Sequence, residues 1–107
     1  MKNLIFHVPH ASTYVPADVR RDIELDDAAL AEELRLLTDH FTDVLFTDFL
    51  QPGDSVIACP VSRLVVDVER FADDATELMS AQGMGAVYQR GHDGRVLRRN
   101  LKSRDEW

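Results

Sequence analysis

The sequence predicts an α/β domain with a partly parallel sheet. Three observations predict it. Short apolar stretches at Asn3–Val8, Ser55–Cys59 and Leu64–Val68 have the length and β-branched content of strands. Leu30, Leu34, Leu37, Phe41, Val44 and Leu45 recur at spacings of three or four, the stripe of an amphipathic helix. Ionisable residues gather where the strands end, the place where ligands bind in open α/β sheets.

The first strand runs into His7-Val8-Pro9-His10-Ala11-Ser12-Thr13. Pro9 cannot donate to a ladder and holds Val8 extended, so the strand stops there. Ser12, Thr13 and Pro16 then read as loop. His7 and His10 are each either loop histidines bonded to backbone or metal ligands. The helix is predicted to begin at Asp26 or Asp27, either of which suits an N-cap. Asp39 and Asp43 would share one face of it, with Thr38 or Thr42 as a point where it divides. Gln51-Pro52-Gly53-Asp54 is a turn before the next strand, which Pro60 ends.

Leu64–Val68 is expected to be the central strand, with Asp67, Glu69 and Arg70 at its far end, followed by Asp73, Asp74 and Glu77. Charges held against a buried strand must pair or bind something. Otherwise the segment is a plain strand running into a solvated acidic loop. Asp73–Met79 reads as a helical turn, and Gly83-Met84-Gly85 as a flexible link. Ala86–Gln89 and Arg95–Leu97 read as a hairpin closed through His92-Asp93-Gly94. Ser103, Asp105 and Glu106 read as the first turn of a helix that continues past Trp107. Leu97, Leu101 and Trp107 are expected to add an exposed apolar patch.

With 107 residues, one domain with a small core is expected. No apolar run approaches the roughly 20 residues of a membrane span, and the N-terminus lacks the pattern of a signal peptide. The single cysteine, Cys59, excludes an internal disulfide and suits a reducing, cytoplasmic setting. Its apolar surroundings predict a buried strand cysteine. The net charge of −7 is concentrated in residues 1–89, while residues 90–107 are net basic. An acidic body argues against nucleic acid as a partner.

Several segments, in order, carry a resemblance. They are His7–Pro16, Leu37-Thr38-Asp39-His40-Phe41-Thr42-Asp43, Ser62-Arg63 through Arg70-Phe71, Glu77-Leu78-Met79 and Gly83-Met84-Gly85. Together they resemble the N-formylglutamate amidohydrolase family, from residue 4 to about residue 99. The resemblance implies a mixed sheet flanked by helices, similar to zinc carboxypeptidases and aspartoacylases. It implies hydrolysis of N-formyl-L-glutamate to formate and glutamate, late in histidine breakdown. It also implies that residues 1–107 are the N-terminal portion of a single, longer domain, which would supply a further zinc ligand.

On this reading a bound zinc ion polarises the amide and generates hydroxide. His10, at the end of the first strand, is the first expected ligand, and Asp39, on the helix face, is the second. Thr13 stands where zinc carboxypeptidases carry a ligating Glu. Two ligands fall short of the usual three, so little activity is expected of the 107 residues alone. Arg63 and Arg70 are expected to bind the carboxylates of a small anionic N-acyl amino acid, by the fork that guanidinium offers. Both could instead form structural ion pairs with Asp67, Glu69, Asp73 or Glu77. His7, Asp67 and Glu69 are expected in supporting positions around the metal and Arg70. Glu69-Arg70 stands where the carboxypeptidase relatives have Asn-Arg. A hydrolase of another N-acyl amino acid and a non-catalytic binding or assembly module are the alternatives. An open sheet edge would lead to a homo-oligomer.

Overall fold

The structure, a computed structural model, describes residues 3–98. The helix expected over 100–107, and with it Leu101 and Trp107, lies outside the described residues.

Strand β1 (Ile5–Val8) pairs in parallel with β2 (Ser55–Ala58), from Ile5 opposite Ser55 to Val8 opposite Ala58. Both follow the apolar stretches seen in the sequence. Asp54 fastens the entry to β2 by accepting from the Leu4 amide at 2.8 Å and the Gln51 amide at 3.0 Å. These two amides hold its carboxyl below the usual carboxylate range. Gly53 completes the expected turn at φ +92°, a conformation that L side chains rarely adopt. Side chains alternate across the pair. Phe6 stacks on Phe46 at 5.4 Å on one face, while Ile5 and Ile57 remain exposed on the other.

Helix α1 (Ala17–Asp22) was not expected; Pro16 stands at its start, where its missing N–H costs nothing. Helix α2 (Asp27–Leu37) begins as predicted, with Asp26 accepting from the Ala29 amide at 2.8 Å. Asp26→Ala is therefore expected to cost about 1 kcal/mol, measurable as a lower urea midpoint with an unchanged slope.

The apolar stripe covers two helices, divided between Thr38 and Thr42 as the sequence allowed. The chain leaves α2 at Thr38, and α3 (Thr42–Thr47) follows Phe41, whose φ is +67°. The Asp39 amide donates to the His10 carbonyl at 2.8 Å, outside the helical ladder. This break separates Asp39 from Asp43 and turns Phe41, Val44 and Leu45 towards solvent.

The larger correction concerns Leu64–Val68, which is not a strand. The Ser62 hydroxyl and carbonyl accept from the Leu64 and Val65 amides at 3.1 and 2.9 Å, closing the backbone into local turns. Farther on, the Asp67 amide donates to the Ala86 carbonyl at 2.7 Å. Among the described residues the sheet is the parallel pair alone, so a small α/β arrangement replaces the expected mixed sheet. The hairpin over 86–97 shrinks to one antiparallel bridge, Arg90 with Val96, with Gly94 at φ +83°. The helical turn expected at Asp73–Met79 falls a little later, as a 3-10 helix over Leu78–Gln82 capped by Glu77.

The core lies between α1, α2 and the two irregular segments, from Val19, Ile23, Leu30, Leu64, Val65, Tyr88 and Leu97. Leu97 is thus buried, against the expectation of an exposed patch. Cys59 is half-buried rather than sealed in a strand. Among the described residues, no helix is long and apolar enough to cross a membrane.

Candidate active site

Asp67 is the hub of the site. Its side chain is fully buried, a state that an ionised carboxylate tolerates only when well paired. Oδ1 lies 2.8 Å from His10 Nε2 and accepts from the Glu69 amide at 3.0 Å. Oδ2 accepts from the Tyr88 hydroxyl and from Arg63 Nη2 at 3.3 Å, and Arg70 Nε stands 3.7 Å away. Burial alone would raise the Asp67 carboxyl. The hydrogen bonds from Tyr88, His10 and the Glu69 amide outweigh it and hold the group below its ordinary 3.8. Burial, and then the bond to Asp67, pushes the Tyr88 phenol up to about 12.

An ionised carboxylate only accepts, so His10 Nε2 carries the proton. The Nδ1 lone pair is left facing Asp39 Oδ2, 3.8 Å away. One ion can reach both atoms, since zinc bonds to nitrogen and carboxylate oxygen are about 2.0–2.2 Å long. His10 is buried, whereas Asp39 is 56% exposed and so open to a ligand entering from solvent. Glu69 Oε2 lies 3.9 Å from His10 Nε2, on the other side of the ring. His7, His10, Asp39 and Glu69 line a single cleft of about 250 Å³. Beside it, Ala11–Val15, Asp43, Ala58 and Cys59 line a larger cavity of about 590 Å³.

The residues singled out in the sequence do come together; His10 stands just past the end of β1 as expected, whereas Arg63, Asp67, Glu69 and Arg70 are not at a strand end. Arg63 and Arg70 flank Asp67 by four and three positions, and the turns at 62–70 bring both onto its carboxylate. Asp39 arrives from the loop between α2 and α3 instead of a helix face. His7 is exposed on β1.

Two residues escaped the sequence reading. Tyr88 reads as an ordinary strand aromatic, yet it touches both Asp67 and Arg63, whose Nε donates to its hydroxyl at 2.9 Å. Glu33 carried a signal, because it interrupts the stripe of Leu30, Leu34 and Leu37 on the inward face of α2. It is fully buried, and accepts from the His92 amide and pairs with His92 Nδ1. Glu33, His92 and Asp93 also offer ligand atoms within 4.8 Å of one another, a second place where a cation could be held. Arg95 Nη2 already stands 3.6 Å from the Glu33 carboxylate there, and a metal ion would have to displace it.

A family model described as N-formylglutamate amidohydrolase matches residues 2–107. No curated protein and no solved structure matches the chain. Over nearly its whole length, then, the chain belongs to the N-formylglutamate amidohydrolase family.

Proposed function

We propose that this chain forms part of a zinc-dependent amidohydrolase that releases formate from N-formyl-L-glutamate or a close N-acyl amino acid, on a carboxypeptidase-like fold. The observation that carries the reading is the line Asp67–His10–Asp39. Asp67 fixes the His10 tautomer, and the free Nδ1 faces a half-exposed carboxylate. That is the pattern of a histidine metal ligand oriented by a carboxylate behind it.

His10 and Asp39 would hold the ion. When bound, zinc polarises an amide carbonyl and lowers the pKa of a coordinated water towards neutrality. Asp67 keeps the imidazole ring from turning; the bonds from Tyr88, His10 and the Glu69 amide keep Asp67 ionised, and the two arginines help hold it in place. The hydrogen bonds of Arg70 use Nε, which donates to the Met84 carbonyl at 3.1 Å. Its two terminal nitrogens remain for the substrate's α-carboxylate. Arg63 commits both Nε and Nη2 to Tyr88 and Asp67, so it serves better as a brace than as a clamp.

The test supplies the protein with zinc and follows both binding of N-formyl-L-glutamate and release of formate. Slow, zinc-dependent formate release is expected, and none from His10→Ala. Arg70→Ala should weaken binding of the substrate by about 2–5 kcal/mol, the cost of removing one partner of a desolvated charge pair. Full zinc occupancy with neither substrate binding nor formate release would refute the assignment. A panel of N-acetyl amino acids identifies the acyl group preferred.

A further inference from the structure

We infer that Glu33 is a positioning residue: it clamps the Gly91–Arg95 turn to α2 and thereby holds the Tyr88 hydroxyl on Asp67. The inference adds a residue to the site proposed above, and its test needs no turnover.

Glu33 and His92 are 59 positions apart in sequence. A buried carboxylate in an apolar helix face is costly unless its oxygens are satisfied. Here one oxygen takes the His92 amide, the other takes His92 Nδ1, and Arg95 stands beside them. The turn is shaped for this carboxylate. A Cβ at Gly91 would lie 2.6 Å from Glu33 Oε1, so a side chain at 91 would push the carboxylate out.

The turn in turn governs Tyr88. Gly91 N donates to the Arg95 carbonyl at 2.9 Å, and Leu97 N to the Gln89 carbonyl at 2.8 Å, so the two arms of the turn form one unit. Tyr88 begins the first arm. Leu97, on the second arm, accepts from the Glu24 amide at 2.7 Å and so ties that arm to the stretch just before α2. Tyr88 is wholly buried, with its hydroxyl on Asp67. Releasing the carboxylate frees the turn from α2 at its tip. The first arm, left with the bonds of the Gln89 and Arg90 amides to the Gly83 carbonyl and of the Asp67 amide to Ala86, then opens more often, and in the open form the phenol leaves Asp67. The raised pKa of Tyr88 agrees with a hydroxyl held out of water on a carboxylate.

The chain contains two tyrosines, Tyr14 and Tyr88, and Tyr14 is exposed. Acetylation by N-acetylimidazole, read residue by residue by mass spectrometry, therefore compares a free phenol with a clamped one. In the wild-type chain Tyr14 should react and Tyr88 should resist. In Glu33→Ala the Tyr88 rate should rise by about tenfold or more, the signature of a local opening made easier. Glu33→Gln keeps an acceptor for the His92 amide and should restore part of the protection. His92→Ala leaves Glu33 in place and supplies the same test should Glu33→Ala fail to fold. Val8→Ala, at a buried position of β1 outside the core cluster that holds Tyr88, serves as a control for general destabilisation, and there Tyr88 should stay protected. Protection of Tyr88 in folded Glu33→Ala and in His92→Ala would overturn the inference. So would equal labelling in Val8→Ala at matched stability.

Discussion

Asp67→Ala is expected to destabilise the fold by about 3–5 kcal/mol, the cost of leaving buried charges without their partner. The residue has no exposed side-chain surface, and its two oxygens serve His10, Tyr88, Arg63, the Glu69 amide and, at longer range, Arg70. Removing them takes the acceptor from Arg63 Nη2 and from the buried Tyr88 hydroxyl, and a nearby counter-charge from Arg70. A chemical denaturation series would show the loss as a lower midpoint. Asp67→Asn keeps the shape but loses the charge, and should fall between the two. The pH dependence has a definite sign. Because folding lowers the Asp67 pKa from 3.8, its stabilisation is fully present above about pH 4 and is lost as pH falls through the folded value. Acid should therefore narrow the gap between the wild-type chain and Asp67→Asn.

Leu64→Ala should cost about 2–5 kcal/mol, the usual range for truncating a buried leucine. Leu64 is fully buried at the centre of the apolar cluster, beside Val65 and Tyr88. Its carbonyl also accepts from Arg98, so a collapse of the site would disturb a second buried cation. Burial holds the Arg98 pKa down at about 10, which marks how little water reaches that region. A loss under about 1 kcal/mol in the same denaturation series would show that the pocket closes over the missing atoms, and that Leu64 is not the centre of the core.

The elements legible in the sequence are those set by local chemistry. The two strands and the Asp26 cap depend on neighbours within a few positions, and they stand where the pattern put them. The Leu64–Val68 run was misleading because four apolar residues in five positions suit a turn packed on the core as well as a strand. The choice was made by Ser62, which captures the next amides, and by Ala86, which takes the Asp67 amide from far along the chain. The break between α2 and α3 runs from Thr38 to Thr42, the two positions the sequence offered for it, while the positive φ of Phe41 that makes it is not revealed by a hydrophobic stripe.

The site was legible as a set of residues and not as a geometry. His10, Asp39, Arg63, Arg70, Asp67 and Glu69 were visible as ionisable residues beside apolar stretches, and it was the family resemblance, not the pattern, that singled them out as expected ligands, substrate-binding groups and their supports. That Asp67 would be the hub, with Tyr88 reaching it from 21 positions away, depends on tertiary packing. So does the meeting of Glu33 with the turn at His92.

The central claim is that a metal ion sits on His10 Nδ1 and Asp39 while Asp67 keeps the proton on Nε2. Nitrogen-15 NMR of the histidine rings during a zinc titration tests it most directly. The account predicts a shift of His10 Nδ1, a retained proton on Nε2, and loss of the effect in Asp39→Ala. Zinc that leaves His10 unmoved and instead perturbs His92, in the cluster with Glu33 and Asp93, would contradict it.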